Sequence, residues 1–397
     1  MPANIKLLMV THNYPRHEGD FAGIFISLLA RRLGEHGITP VVLAPHAAGA
    51  KEFEEMDGVR VYRFRYAERD EDETLAYQGS MHKLVLGTAG GIFRFKHFLD
   101  CFRRATEDVI VHEQVDALAG HWLVPSGMVL KTINKRRRLP VFMYSHGTDV
   151  RLAKRYFKLL YRYMSEFCRT LDRWTVVSNY LKNEIVSMDR RLENIIEVLP
   201  VPHDERVFYR DESIPTDDNL VVAVTRFTHQ KRVEYLVRAF ARVVETKPDA
   251  RLEIYGMGAL QNDIEELIEK FGLGSSVTIH QPVSQQELRG IYNRAAMVVL
   301  NSYEEGFGLA LSEAMLCGTA VVGADSGGIS DIIENEERGL LTRPDNAGAL
   351  AEALLRFLSD REFRGRMAGS GHKFAIETYT SASLAARYAD IIGSAFK

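Results

Sequence analysis

The sequence predicts an α/β protein made of two Rossmann-like, doubly wound parallel sheets, and three observations carry that prediction. The chain has 397 residues, too many for one ordinary core and suited to two domains of about 150–200 residues. Short apolar runs with strand character alternate with helical periods through both halves, the rhythm of β-α units around a parallel sheet. Several of those runs lack polar alternation, as expected of strands covered on both faces.

In the first half the strand runs are IKLLMV, TPVVLA, VRVYRF, DALAGHW, PVFMYS, RWTVVS and IIEVLP, with amphipathic stretches such as Ile24–Gly34 between them. The second half restarts with LVVAVT, ARLEIY, SVTIH, AMVVLN and TAVVGA, and helical periods cover 230–246, 259–271, 284–294, 309–317 and 345–358. The halves share a rhythm but no sequence period, which excludes a solenoid array. Pro200–Pro215, with two closely spaced prolines and a charge cluster, interrupts both periods and marks the boundary. The expected domains are therefore 1–205 and 206–379. Ala382–Phe396 reads as a helix that follows the second domain and packs back on the first, so that about 380–397 belongs with it.

Hydrophobic residues make up 46% and charged residues 26% of the chain, a globular composition. A formal net charge of −3 leaves no nucleic-acid footprint, and no nucleic-acid partner is expected. The charge is uneven. Between His82 and Arg191 stand 20 Lys or Arg against 10 Asp or Glu, whereas 206–397 holds 21 basic and 27 acidic residues. Cys101, Cys168 and Cys317 form neither a metal-ligand spacing nor a disulfide framework. Ile5–Val10 is too short for a signal-peptide core and no later run reaches spanning length, so a reducing, cytoplasmic setting is expected.

The stretch richest in chemistry is NSYEEGFGLALSEAMLCG, residues 301–318. A strand ends near Asn301, a glycine-bearing turn follows, and a helix opens near Leu309. Gly306 and Gly308 let the backbone approach a ligand, and the helix start points free N–H groups at it, which favours a phosphate or sugar oxygen. Glu305 and Glu313 flank the turn. Carboxylates beside a phosphate repel it, so they answer to hydroxyls, as in the vicinal diols of ribose or hexose. The alternative is that Glu304 and Glu305 complement the helix dipole while Glu313 is solvated.

A second element is VVAVTRFTHQKRVEYLVRAF, residues 221–240. Arg226 sits just past a buried strand, and Lys231 and Arg232 are expected in the first turn of the next helix. Cations there oppose the dipole unless a diphosphate lies between them and the N–H groups; otherwise this is a solvated basic turn. The third element is VFMYSHGTDV, residues 141–150. His146 follows a buried strand at the edge where doubly wound sheets bind ligands. It reads either as a site residue or as a core histidine beside a cap from Thr148 or Asp149.

Taken together, a glycine-bearing first βα loop, a mid-chain His-Gly, Arg and Lys five apart, EGFGLALSEA, and the Gly-Gly of DSGGISDII (325–333) resemble the GT-B glycosyltransferases of family 4. The resemblance runs along nearly the whole chain. It implies a GT-B architecture with a nucleotide diphosphate sugar between the domains. Arg226 and Lys231 would hold the diphosphate and Glu313 the ribose. Glu305, with the backbone N–H groups of Phe307, Gly308 and Leu309 after Gly306, would hold the transferred sugar and its phosphate. His146 would face the reacting sugar. The loop Pro15–Gly23, ending on Gly23, would close over phosphate and acceptor, and Gly256 with Gln281 and Val283 would border the base. It also implies hexosyl transfer from a UDP-sugar, or else a GDP-sugar, with retention and without metal or other cofactor, to a glycan, lipid-linked or small-molecule acceptor. The chain departs from the family pattern at Gly19 and Gly23, which stand apart where a Gly-Gly pair is usual, at PVPHDERVF, where Asn-Gly is frequent, and at Asp331, where Glu is common.

Other classes are weaker on sequence. Asp70 and Asp72 form an Asp-x-Asp pair suited to a metal-dependent sugar transferase, but the run ERDEDE reads as a solvated loop. A two-domain ligand-binding receptor would normally carry an export signal. A dehydrogenase would need G-x-G-x-x-G in the first βα turn. RLAKRYFKLLYRYM, residues 151–164, mixes cations with aromatics. With KTINKRRR (131–138) it suits either peripheral contact with an anionic membrane or a packed helix with solvated cations.

Overall fold

The structure, a computed structural model, describes residues 4–77, 81–155 and 164–396. The chain divides into two compact units. The first comprises Met1–Val177, Leu181–Pro202 and Ser381–Lys397, and the second comprises Ser178–Tyr180 and His203–Thr380. The change at Pro202/His203 falls three residues before the expected 205/206 boundary, inside the Pro200–Pro215 stretch.

In the first unit eight strands form one sheet: β1 (Ile5–Val10), β2 (Ile38–Pro45), β3 (Phe53–Met56), β4 (Val59–Phe64), β5 (Ala117–His121), β6 (Val141–Ser145), β7 (Arg173–Val176) and β8 (Ile196–Val198). Their order is β3-β4-β2-β1-β5-β6-β7-β8. Every pairing is parallel except β3 with β4. Every residue of β5 and β6 is buried, which is why their sequences carry no polar alternation. The order reverses between β1 and β5, and ligands bind beyond the carboxyl ends of strands at such a reversal. Helix Ser381–Gly393 completes this unit. Tyr388 and Ile392 are buried, the Tyr388 ring lies 5.8 Å from Tyr144, and Arg387 donates to the Val198 carbonyl at 2.8 Å.

The second unit has six parallel strands: β9 (Asp217–Val224), β10 (Arg251–Tyr255), β11 (Val277–His280), β12 (Ala295–Leu300), β13 (Ala320–Ala324) and β14 (Leu340–Thr342). Their order β11-β10-β9-β12-β13-β14 reverses between β9 and β12, the arrangement of dinucleotide-binding sheets. Helix Val233–Thr246 shows how sequence sets the packing. Val233, Leu236, Val237, Phe240 and Val243 recur at helical spacing and are all buried against the sheet, each worth about 1.5–3 kcal/mol. Helix Leu309–Leu316 is different, being buried from Ala310 to Leu316 with Glu313 enclosed among apolar neighbours.

The expected helix 230–246 needs one correction. His229–Lys231 is a separate 3-10 turn, and Arg232 takes the left-handed conformation (φ 48°), so the α-helix opens only at Val233. Lys231 and Arg232 thus stand in the connection and not in the first helical turn. Beyond the expected strands the sheets gain β3 and β14, each at a sheet edge.

Candidate active site

In the second unit the residues singled out from sequence lie beyond the carboxyl ends of β11, β10, β9 and β12, from one sheet edge to the reversal between β9 and β12. The loops beyond β9, β10 and β11 are laced together by their backbones: Thr225 N–H donates to Tyr255 O (3.0 Å), Phe227 N–H to Met257 O (3.0 Å) and Gly256 N–H to His280 O (3.0 Å). A side chain at Gly256 would place its Cβ 1.8 Å from the Thr225 carbonyl, so only glycine admits this approach. Gln281, exposed, and Val283, half-buried, follow directly after β11. Arg226 projects from the end of β9 and is exposed.

The 229–231 turn lies against the loop beyond β12. Tyr303 N–H donates to Gln230 O (2.8 Å), and the Gln230 amide donates to Glu304 O (3.1 Å). Lys231 Nζ pairs with the Glu305 carboxylate, both largely buried. The two groups expected to serve different parts of a ligand therefore neutralise each other here. Arg232 turns away and lies over the Tyr303 ring at 4.9 Å.

Gly306 and Phe307 are buried, and Gly308 (φ 117°) caps helix Leu309–Leu316, at whose start Leu309 is 45% exposed. The first N–H groups of a helix have no acceptor within it, and this helix begins at Leu309, directly after Gly308. The Gly-Gly of 327–328 packs against the backbone of this loop. A Cβ on Gly327 (φ 65°) would lie 2.3 Å from Glu305 O, and Gly328 N–H donates to that same carbonyl at 2.7 Å. Ser178 Oγ donates to Gly306 O (2.7 Å). Asp331 accepts from Asn179 N–H (2.6 Å), so its carboxylate is committed to that segment.

Glu313 is buried, not solvated. Its carboxylate accepts a hydrogen bond from the Tyr292 hydroxyl (3.0 Å). Burial pushes its pKa up to about 7 against that hydrogen bond. The solvated reading of Glu313 is thereby excluded. A buried carboxyl in an apolar helix is costly unless it has a task.

In the first unit the loop beyond β1 is folded by Asp20, which accepts from Arg16 Nε (2.7 Å), Arg16 N–H (2.9 Å) and Ala22 N–H (3.2 Å). Burial raises the Asp20 pKa, but the Arg16 hydrogen bonds outweigh it and hold it at about 2. Gly23, buried, caps helix Ile24–Leu33 from the left-handed region, where a Cβ would lie 2.3 Å from Asn13 O. His146 is half-buried, its ring packed on Phe25 (4.5 Å), Trp122 (4.6 Å) and Tyr144 (4.5 Å). Burial and the neighbouring His121 and His12 hold its pKa well below the usual histidine range, so the ring is neutral. Asp149 accepts from Ser145 Oγ (2.6 Å) and Leu123 N–H (2.8 Å).

Asp70 and Asp72 lie in an exposed 3-10 turn, bonded to Arg65 (2.6 Å) and Arg69 (3.0 Å). His46, Asp70 and Glu73 bring three potential ligand atoms within 4.8 Å of one another. Both His46 nitrogens are already used, by Glu73 (2.5 Å) and Ala50 O (2.9 Å).

The models of two sequence families match this chain in succession. Glycosyltransferase Family 4 covers residues 22–206, and Glycosyl transferases group 1 covers residues 204–374. The chain is a family 4-like glycosyltransferase. An uncharacterised glycosyltransferase of Methanocaldococcus jannaschii is 27% identical over 95% of both chains. The N-acetyl-alpha-D-glucosaminyl L-malate synthase of Bacillus anthracis is 25% identical over 72% of this chain and 76% of its own. Among solved structures, sucrose-phosphate synthase from Thermosynechococcus elongatus superposes with a TM-score of 0.80 at 21% identity over 99% of each chain. Anabaena HepE, solved in complex with UDP-glucose, gives 0.72 at 16% identity over 98% of this chain and 100% of its own. These two likenesses establish the GT-B fold.

Within this glycosyltransferase the sequence left four site neighbours unnamed: Tyr292, which holds Glu313, and His12, His121 and Trp122, which surround His146. Trp122 carries a left-handed backbone (φ 63°), rare for a bulky residue and frequent at functional sites. The only sequence signal for it was its place just beyond a buried strand.

Proposed function

We propose that this glycosyltransferase moves a hexosyl-type sugar from a nucleotide diphosphate sugar, a UDP-sugar ahead of a GDP-sugar, to a glycan, lipid-linked or small-molecule acceptor. The transfer retains anomeric configuration and uses no metal. The donor assignment is supported by the β9/β12 reversal: exposed Arg226 follows β9, and Lys231 pairs with Glu305 in the loop that leads into helix Leu309–Leu316. Arg226 and the N–H groups of Phe307, Gly308 and Leu309 take the diphosphate, since a helix N-terminus and a guanidinium both favour phosphate oxygens. Lys231 exchanges its Glu305 partner for phosphate, which frees Glu305 for sugar hydroxyls. Glu313 accepts from the ribose, and Gly256, Gln281 and Val283 border the base. In the first unit Gly23 shapes the turn of the β1 loop, which serves the acceptor, and neutral His146 donates to a sugar hydroxyl during transfer. The solved HepE complex with UDP-glucose supports this donor class. A thermal-shift screen over nucleoside diphosphates with a chelator present tests it, because a ligand that binds only the folded state raises stability by mass action. A protein stabilised by none of them, or only without chelator, refutes it.

Peripheral contact with an anionic membrane belongs to the same proposal. The Lys154–Arg155–Lys158 face first considered extends beyond the described residues. The firmer support lies upstream. Residues 74–99 contain no acid, Phe93 is 80% exposed with Ile92 and Leu86 beside it in sequence order, and Lys83, Arg94 and Lys96 are exposed in the same segment. Apolar side chains among cations are what an anionic lipid surface binds. No helix among the described residues is long and apolar enough to cross a membrane.

A further inference from the structure

We propose that His203 is a positioning residue for the donor turn: its Nε2–H donates to the Ser312 hydroxyl, which spends its own hydrogen on the Leu309 carbonyl and so fixes the start of helix Leu309–Leu316. The histidine belongs to PVPHDERVF, where the chain departs from the family pattern. Backbone contacts set its ring in place. His203 opens the continuous stretch 203–380, its N–H donates to Tyr379 O (2.9 Å), and it bridges to Thr380. The ring is enclosed, perpendicular to Phe208 at 6.2 Å and to Tyr379 at 6.5 Å. Its Nε2 lies 2.7 Å from Ser312 Oγ. Ser312 is fully buried in the first turn of the helix, and its Oγ lies 2.9 Å from Leu309 O.

The direction of both bonds follows from the carbonyl at the end of the row. A carbonyl oxygen carries no hydrogen and a serine hydroxyl carries one. The contact with Leu309 O is a hydrogen bond only if that one hydrogen points there. Ser312 Oγ then has only lone pairs to offer His203, so Nε2 must hold the hydrogen between them. The reverse order would leave two oxygen lone pairs facing each other at a fully buried hydroxyl, an unmade bond with no water to replace it. Burial pushes the His203 pKa down to about 3, so the ring is neutral and its one hydrogen sits on Nε2. The carboxylate next in the chain, Asp204, accepts from Arg206 at 2.8 Å.

The consequence falls on Gly308, whose backbone (φ 117°) is the freest in the turn. Phe307 before it packs on the Tyr379 ring at 5.5 Å. Leu309 after it is held through Ser312 by His203, and His203 is itself held by Tyr379 O. One strap therefore secures both flanks of the glycine. A helix start binds an anion through N–H groups that must stay aimed, and a neighbouring layer of packing and hydrogen bonds keeps them so. That this turn takes a diphosphate rests on the function proposed above; the His203–Ser312 bond does not.

The test pairs long-range ¹H–¹⁵N correlation on histidine-labelled protein at pH 7.5 with calorimetry on UDP and GDP. Wild type is expected to show His203, assigned by its loss in His203→Gln, as the Nε2–H tautomer; an Nδ1–H ring overturns the bond. Ser312→Ala removes the link with a residue that favours helix, and His203→Leu removes the donor. Each is expected to weaken the nucleoside diphosphate about three- to tenfold, the worth of one hydrogen bond. The double variant should lose no more than either alone, because both break one chain of bonds. His203→Gln, whose amide N–H can stand near the lost Nε2–H, is expected to bind as wild type. Where His203→Leu fails to fold, Ser312→Ala decides. Undiminished affinity in the folded variants overturns the positioning role, and so does an additive loss or a His203→Gln as weak as His203→Leu. A wild type that binds neither UDP nor GDP sinks the donor reading and the role with it, while the ring tautomer still decides the bond.

Discussion

Glu313→Gln should make the protein more stable and a worse nucleotide binder, with the first effect absent below pH 4.5 and complete above about pH 7. The enclosed carboxyl has a pKa of about 7 in the folded chain against an ordinary 4.5. Below pH 4.5 both folded and unfolded states hold the proton, and burial exacts nothing. Between 4.5 and 7 only the unfolded state ionises, so stability falls as pH rises. Above 7 both are ionised and the penalty is complete, about 3 kcal/mol at 1.36 kcal/mol per unit. Gln is nearly isosteric, carries no charge and can still accept from Tyr292. At pH 8 it should therefore recover most of that energy, roughly 4–10 °C in melting temperature for a unit of this size. At pH 4.5 the gain should vanish. UDP affinity should move the other way, since losing a charge-assisted acceptor costs about 1.5–3 kcal/mol, roughly tenfold to a hundredfold. Wild-type affinity should itself weaken as pH drops through 7. Urea unfolding at both pH values with calorimetry on UDP provides the measurements. A variant equally stable relative to wild type at both pH values would show that the carboxylate bears no burial penalty, and undiminished UDP binding would remove the ribose from its role.

The other expectations are simpler. Arg226→Ala should weaken UDP about tenfold to a hundredfold in calorimetry with chelator present; unaltered affinity would place the diphosphate elsewhere. Gly327→Ala drives a Cβ to 2.3 Å from Glu305 O, so UDP-sugar binding should fall even in protein that still folds, and wild-type binding would mean the loop yields freely. Ile92→Asp with Phe93→Asp should release the protein from anionic vesicles in sedimentation while sparing UDP affinity, and a wild type that never sediments with such vesicles rules the contact out. His146→Ala should lower the turnover of UDP-glucose by about 10²-fold or more with the melting temperature nearly unchanged; an early-melting variant that loses UDP in proportion would make it a core histidine.

The strands were legible because burial on both faces writes itself as an unbroken apolar run, as in VFMYS and AMVVL. The two edge strands β3 and β14 carry no such signature. Phe53–Met56 has one side open to water, and Leu340–Thr342 is three residues long. The start of helix Val233–Thr246 was misplaced because Arg232, a good helix former by composition, adopts a left-handed backbone that no local pattern announces. Arg226, Glu305 and Gly308 stood out because strand ends and glycine turns are local. Their assignment to a nucleotide sugar came from family resemblance. Tyr292 and the ring cluster at 12, 121, 122 and 146 were invisible for another reason. Only sheet order brings the ends of β1, β5 and β6 side by side, so His12, the pair His121–Trp122 and His146 meet from segments more than 20 residues apart, and Tyr292 reaches Glu313 across 21 residues.

The route of the chain through its two units bears on how the protein is made. The second unit is drawn almost wholly from the continuous stretch 203–380, whereas the first needs 381–396 to seal Tyr144 and Val198 beneath the helix that carries Arg387 and Tyr388. Domains generally fold as units while synthesis proceeds. Here the earlier-made unit must wait for its last helix until the later-made unit has left the ribosome. During that interval the nascent first unit is the segment a chaperone would hold, and the nucleotide-binding unit is the first to reach its native form.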